Sequence, residues 1–584
     1  MRFVEENLPR MNTDKLIPSI NHLCFICGKF LSVYISGLFL LSVAFATIPL
    51  PSSPSWTSID NDYSTGGGFA DINSDGFIDF CTANGNDMAI NKQGIYMNNG
   101  GVLETQASWR SADSGYFGHL YLGDIDNDGN IDMSVSYLGL NVSNQGRTRI
   151  YKNNGTGLNA NPYWTSSDQN NSFDVCLGDV DLDGDLDVAV ATGDAYNNIR
   201  TPARIYRNNH GTIETTPYWY AQDSTPSDAI RFADINRDGY LDLIVGGYRK
   251  LWVYLNQNGV INPIASWSIS ERGWILRIAT ADFDKDDWID VAVAVNGQLS
   301  GDSSRIKVFK NNQGQLNTFA SYTMRRNSNY CSCVAWGDVN NDGYLDLAAG
   351  GWWEPIVVFE NHNGVLDTMP AWSWGGGYNL VSEALVWGDV RNYHIMTKAD
   401  TFMGDGIRKL FYATKAPMQK FLNAANNENL LPVSNYCYDL LTGWISLNTA
   451  PQNSDTLVIR YQYSTHPDLT VTNWTAAVGN YLLHNTTPQA MVQEPLADIL
   501  NQDNDLMIAP NPFSNQVKFE CGKNVKSSIR IYNSAGMLIK TLPAKAIIWN
   551  GKDEFNQAIP KGIYFAQVVF DHSTIMKKIV KMSY

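Results

Sequence analysis

The sequence predicts an all-β protein: a seven-bladed β-propeller, its seventh blade split by an insertion, followed by a smaller β domain. Three observations carry the prediction. A loop of alternating carboxylates occurs six times. The loops start 53, 55, 55, 48 and 56 residues apart, a near-constant period that marks solenoids, propellers and arrays. Each repeat contains four short strand-like pieces, and such strands repeated radially make a propeller.

In the third loop, Asp179, Asp181, Asp183 and Asp187 occupy positions 1, 3, 5 and 9, Gly184 occupies position 6, and an apolar run follows. Hard cations of the calcium type take six to eight oxygen ligands, and a glycine permits the sharp turn that converges them. The helix-flanked calcium loop carries a Glu at position 12, where this chain has Val190. The flanks here are strand-like, so the loop is expected at the tip of a β-hairpin. The first two loops use Asp71, Asn73, Asp75 and Asp79, then Asp124, Asp126, Asp128 and Asp132. The fourth uses Asp234, Asn236, Asp238 and Asp242, and the fifth Asp282, Asp284, Asp286 and Asp290. The sixth uses Asp338, Asn340, Asp342 and Asp346. About six Ca2+ sites are expected.

The chain has 584 residues, 44% hydrophobic and 12% aromatic, enough for two or three packed domains. The net charge of −16 argues against a nucleic-acid partner, which needs a Lys/Arg surplus. Six dications would bring that charge to about −4, so the acidity reads as metal ligation. The eight cysteines show no framework spacing; Cys331 and Cys333 are expected on one face of a strand as core filler.

Residues 1–46 read as a signal-peptide region. Phe30–Ala46 is nearly all apolar and ends in Ala44-Phe45-Ala46, with cleavage expected after Ala46. The run is short for a membrane span of about 20 residues, so no transmembrane span is expected once the signal is removed.

The strand pieces are clearest in the third repeat: Phe173–Val180, Leu186–Ala191, Arg204–Arg207 and Tyr218–Gln222. The third piece recurs as a Tyr-x-Asn-Asn pattern at Tyr96, Tyr151 and Tyr206, with variants at Tyr254, Phe309 and Phe359. The fourth carries Trp109, Trp164, Trp219, Trp267, Tyr322 or Trp372. Such strands, closed by Asn-Asn-Gly turns, are hairpin material.

After Gly388-Asp389-Val390 no carboxylate series follows. Asp468–Val471 matches the strand after a loop, Tyr481–Asn485 matches the third piece, and Trp56 supplies the missing aromatic strand. The seventh blade is therefore expected to be split by an insertion at 391–467; the alternative is that 391–485 forms one separate β-module.

Residues 54–485 resemble the FG-GAP/VCBS repeat family, whose relatives include the propellers of integrin α subunits. The resemblance rests on the six loops and the Tyr-x-Asn-Asn strands. It implies calcium held by side chains at positions 1, 3, 5 and 9 and by the carbonyl at 7. The fifth loop departs from the pattern, with Asp287 where glycine is usual. Asp tolerates the left-handed conformation better than most residues.

Residues 486–504 read as a linker, and 505–584 as a small all-β domain with markers at Pro510–Phe513, Ile529–Asn533, Trp549–Asp553 and Gly562–Phe565. These features resemble the carboxy-terminal sorting domain of the bacterial type IX secretion system. The resemblance implies an immunoglobulin-like sandwich, contact with the secretion machinery, and a secreted or cell-surface protein outside the outer membrane.

No Gly-x-Ser-x-Gly elbow, His-Glu-x-x-His helix or phosphate loop is present, so no catalytic residue is assigned. His119, His210 and His362 sit in one-off contexts and read as surface or core residues, and Trp352, Trp353, Trp372 and Trp374 as blade-core aromatics. The leading function is an exported calcium-binding propeller acting in adhesion or in binding an extracellular protein or glycan. The alternatives are a polysaccharide lyase or hydrolase with the propeller as scaffold, and a purely structural surface protein. The insertion is either a binding module or a cover for a blade edge.

Overall fold

A computed structural model describes residues 48–488, apart from 224, 302–303, 326–328, 378 and 476–477. It also describes 506–582, apart from 510, 512, 522–527, 534–537, 544–547, 555 and 570–573. The expected signal region 1–46 and residues 489–504 of the expected linker lie outside the described residues. The chain divides into two compact units, 1–488 and 489–584. Both are all-β. Helix is confined, among the described residues, to two 3-10 turns, Val142–Asn144 and Val433–Asn435, and no described helix is long and apolar enough to cross a membrane.

The first three repeats each form a four-stranded antiparallel sheet. In the third, Ser172–Gly178, Asp187–Thr192, Arg204–Tyr206 and Trp219–Tyr220 pair in chain order. The first strand is buried along its whole length, its polar Ser172 and Asp174 included. The sixth repeat is built the same way, from Cys331–Gly337, Asp346–Gly351, Ile356–Phe359 and Trp372–Trp374.

The fourth and fifth repeats differ from the four-piece expectation. Asp242–Tyr254 and Trp267–Ala281 run through as single strands, which joins both repeats in one six-stranded sheet. These two loops have the shortest start-to-start separation, 48 residues, so there is too little chain for a separate excursion between the sheets.

Past the sixth repeat, Leu385–Gly388 pairs with Asp468–Val471, which pairs with Tyr481–Leu483, and that strand pairs with Trp56–Thr57 near the start of the described chain. Residues 395–464 fold between the first two of these strands as a two-sheet module. One sheet holds Ile395–Met403, Thr456–Ser464, Lys420–Asn426 and Asn429–Leu430; the other holds Leu410–Tyr412, Trp444–Leu447 and Tyr436–Tyr438. Phe421, Ile445, Leu457 and Tyr461 fill the core between them.

Two contacts recur where consecutive repeats meet. Trp109, Trp164 and Trp219 each set an edge against the tyrosine of the next repeat, at ring separations of 5.8, 5.1 and 5.5 Å. Their indole N–H groups donate to carbonyls of that repeat, those of Leu158, Ile213 and Ile261. Trp56 does the same with Tyr96 and Leu103. Gly178 closes the first strand of its repeat where a Cβ would lie 2.4 Å from the Phe232 ring, so the missing side chain lets that ring lie against the backbone.

Cys331 and Cys333 do not share a face. A bulge between them inserts an extra residue, which reverses the two-residue alternation. Cys331 packs with Phe283 and Met324, and Cys333 with Ile356 and Leu469.

In the second unit, Leu506–Ala509, Val517–Cys521 and Ile548–Trp549 form one antiparallel sheet. Leu538–Pro543, Ser528–Asn533, Gly562–Val569 and Thr574–Lys581 form the other. Phe519, Ile531, Trp549 and Val568 share its core.

Candidate functional site: six carboxylate loops beneath a β module

Each loop joins the first and second strands of a repeat. The glycines at position 6 have φ between 88° and 94°, and Asp287 in the fifth loop takes the same left-handed turn at 69°. Position 4 is left-handed too, at Ser74, Asn127, Leu182, Arg237, Lys285 and Asn341, with φ of 55–61°. The glycine signal alone does not reveal this second turn. It carries the position-4 side chain toward the next loop: Asn127 donates to Asp185 (2.7 Å), Arg237 covers the Trp288 ring, and Lys285 covers the Tyr344 ring.

The position-1 carboxylate accepts the position-6 N–H in all six loops, at 2.9–3.1 Å. The position-5 carboxylate accepts the position-7 N–H, for example Asp183 from Asp185 at 3.0 Å. The position-9 aspartate is a buried hub. Asp132 accepts from the N–H of Ile125 (3.0 Å) and of Asn153 (2.7 Å), and Asp242 from those of Ile235 (2.9 Å) and Asn256 (2.8 Å).

The asparagine that donates its N–H to the hub belongs to the Tyr-x-Asn pattern. Its amide reaches back to the position-2 carbonyl of the preceding repeat: Asn153 to Ile72, Asn208 to Ile125, Asn256 to Val180, Asn311 to Ile235 and Asn361 to Phe283, at 2.7–2.9 Å. Asn485 reaches Val339 (2.9 Å), and Asn98 reaches Val390 (2.8 Å). Asparagine expected as turn material is thus a clasp between repeats.

Three loops bring three carboxylates together with one oxygen of each within 4.8 Å of the others: Asp124, Asp126 and Asp132; Asp179, Asp181 and Asp183; and Asp282, Asp284 and Asp290. Ligands on opposite sides of one calcium ion lie about 4.6–5.2 Å apart. The loops with asparagine at position 3 form no such three-carboxylate group among the described residues. There Asn73 and Asn236 donate to Asp75 and Asp238 at 3.0 and 2.9 Å, and Asn340 donates to Glu360 at 3.1 Å.

Buried oxygens of Asp71, Asp126, Asp284, Asp290 and Asp338 have no hydrogen-bond partner. Burial first, and then neighbouring carboxylates, push Asp124 and Asp179 up to about 7 and Asp290 up to about 8. Burial likewise raises Asp242 and Asp346 to about 8, against opposing backbone hydrogen bonds. An all-oxygen donor set, crowded with negative charge and holding unpaired buried oxygens, suits a hard dication.

The seventh turn has the same frame without the carboxylate series. Asp468 accepts from the N–H of Val390 (3.1 Å) and of Asn485 (2.7 Å), as the position-9 hubs do. Arg391, two residues after Asp389, pairs with Asp468 at 3.3 Å and donates to the Asn485 carbonyl at 2.8 Å.

The inserted module sits on the loops. Lys420 pairs with Asp71 (2.7 Å) and Lys415 with Asp338 (3.2 Å); Lys409 donates to the Leu182 carbonyl (2.9 Å), and the Tyr412 hydroxyl accepts from the Asp234 N–H (3.2 Å). Trp444 is buried in one cluster with Leu182 and Phe232. Between the module and the fourth to sixth loops lies a cavity of about 710 Å³.

A second buried polar cluster joins the first strands of four repeats. Asp174 pairs with Arg231 (2.7 Å) and Arg277 (3.2 Å), and His119 Nδ1 lies 3.3 Å from it. Burial, which would raise Asp174, is overcome by the two guanidinium groups, and its carboxyl is held well below the usual range. Nearby, the indoles of Trp274 and Trp352 donate to the buried carboxyls of Asp228 and Glu383. His119 and Trp352 are core residues, as the sequence indicated, whereas Trp353 is 38% exposed.

Family comparison places an FG-GAP-like repeat on residues 179–245, 234–293 and 294–349. A secretion system C-terminal sorting domain matches residues 507–582. No curated protein matches the chain. Among solved structures, a similar chain is that of BBS1N in complex with ARL6DN, soaked with lead: 13% identity, 59% of this chain and 90% of that chain covered, TM-score 0.40. The mercury-soaked crystal of the same complex gives 12%, 58%, 88% and 0.37. The sorting domain marks the protein for export by type IX secretion, to the cell surface or the extracellular space. The chain carries FG-GAP-like repeats over residues 179–349 and, at its carboxy terminus, a sorting domain of the type IX secretion system.

Proposed function

We propose that the protein is a calcium-loaded, seven-bladed propeller that binds a protein or glycan ligand outside the cell. Seven blades are supported by the clasps: each asparagine reaches the preceding repeat, and Asn98 returns from the first repeat to Val390 of the last sheet. The seventh blade is then split by the module at 391–467. The two sheets and shared core of the second unit support an immunoglobulin-like sandwich.

Calcium is proposed at the side chains in positions 1, 3, 5 and 9 of the six loops. The carrying observation is the convergence of three carboxylates in the second, third and fifth loops. Bound calcium supplies charge neutralisation and a cross-link between the strands flanking each loop. The loop backbone holds the position-1 and position-5 carboxylates in place, and the position-9 residue ties the site to the clasp. Metal analysis of the dialysed mature protein tests this. Five or six retained ions, with a melting temperature that falls on chelation, support it; no retained ion and an unchanged melting curve overturn it.

The binding role is supported by the module that covers the loops and encloses a cavity, and a glycan and matrix-protein array tests it.

A further inference from the structure

We propose that the cavity between the inserted module and the fourth to sixth loops binds an acidic saccharide, through carboxylate or sulfate groups on its rings. The cavity volume of about 710 Å³ lies within the range of organic-ligand pockets. Its charged lining is four cations, Arg237, Lys285, Arg408 and Lys415, and four carboxylates, Asp234, Asp282, Asp287 and Asp338. The proposal rests on the calcium reading, because three of those carboxylates are position-1 ligands and a bound ion neutralises them. The charge left facing the cavity is then positive.

The cations are held before any ligand arrives. Lys285 lies 4.0 Å from the centre of the Tyr344 ring and Arg237 5.3 Å from that of Trp288. Arg408 lies 4.5 Å from the Phe411 centroid and Lys415 5.7 Å from that of Tyr463. Neither Lys285 nor Arg408 is closed into an ion pair among the described residues, although the charge of Asp405, on the same turn, acts on Arg408. Such cations recognise carboxylate and sulfate directly. Trp336, Phe411 and Tyr412 supply aromatic wall, and Thr280, Thr414 and Thr442 supply hydroxyls. Rings beside hydroxyls and cations match a sugar acid, which presents an apolar ring face, hydroxyls and a charge together. An acidic peptide shares only the charge.

The test is titration calorimetry on the calcium-replete mature protein, with calcium content measured on the same samples. The probes are tetragalacturonic acid for carboxylate, a heparin tetrasaccharide for sulfate, maltotetraose as a neutral saccharide, and hexaglutamate as an acidic peptide. One or both acidic saccharides bind and the neutral one does not. Lys285→Ala and Arg408→Ala, both exposed positions checked by melting curve, weaken binding by about tenfold or more, and Lys285→Arg restores it. Retained calcium with no saccharide binding, equal binding by the alanine variants, or preference for hexaglutamate overturns the cavity proposal alone. Loss of all calcium at dialysis overturns the calcium reading and this proposal with it.

Discussion

Asn98 donates a 2.8 Å hydrogen bond from its side-chain amide to the carbonyl of Val390, 292 residues away. The same amide donates to the Ile78 carbonyl of its own repeat at 2.9 Å. One side chain therefore fastens the first loop to the turn before the insertion. Leaving a buried polar group unpaired costs about 1–3 kcal/mol. Asn98→Ala frees two carbonyls, so its melting temperature falls well below that of wild type. Asn208→Ala, which frees the carbonyls of Ile125 and Leu186, falls by a similar amount. A melting curve for Asn98→Ala that superimposes on wild type would falsify the clasp.

Asp183 is one of three carboxylates converging in the third loop, and it also accepts the Asp185 N–H at 3.0 Å. Asp183→Ala loses one ion and keeps the others, because each loop supplies its own ligands. An ion at 1,000 times its dissociation constant stabilises the native state by about 4 kcal/mol, so emptying one site lowers the melting temperature measurably. Metal analysis checks the count, and loss of every ion from this variant contradicts independent sites.

Much of this was legible because repetition multiplies a weak signal. One Asp-x-Asp-x-Asp-Gly stretch is ambiguous, whereas six at a near-constant period locate the hairpins. The strand around Trp56 was readable because the last repeat lacks an aromatic of its own. The clasp was not legible, because an asparagine after a strand is turn material until the neighbouring carbonyl is placed beside it. The seat of the insertion was equally hidden, since Lys409, Lys415 and Lys420 look like surface lysines until the fold sets them over the loops. The cluster of Asp174, Arg231, Arg277 and His119 left a trace: each is a polar residue inside an otherwise buried first strand.

Arg391 supplies charge where the seventh turn has no carboxylate series. Its guanidinium pairs with buried Asp468, which is 0% exposed as a side chain. Removing one partner of a buried pair leaves an uncompensated charge and costs about 3–5 kcal/mol; the 22% exposure of Arg391 makes the expected loss smaller. Arg391→Ala therefore lowers the melting temperature, and added calcium does not restore it. Recovery of the wild-type curve at high calcium would mean that this turn binds an ion once the arginine is gone.

His119 gives a pH dependence that is separate from the loops. Burial, and then the Arg277 charge, lower its pKa from 6.5 to about 4. Its faces are set by Asp174, Arg277 and Arg231, and by Phe173, whose ring centre is 4.5 Å away. In the folded protein the imidazole is neutral at pH 6, whereas in the unfolded chain it is partly protonated. Its contribution to stability is thus fully present above 6.5 and is lost as pH falls from 6.5 toward 4. With calcium saturating at every pH, the melting temperature of the wild type declines across that window. His119→Gln cannot take up the proton, so it starts lower and declines less, and the difference between the two curves narrows as the solution is acidified. A difference that stays constant from pH 7 to pH 4 would show that His119 does not titrate on unfolding, and the decline would then belong to the carboxylates.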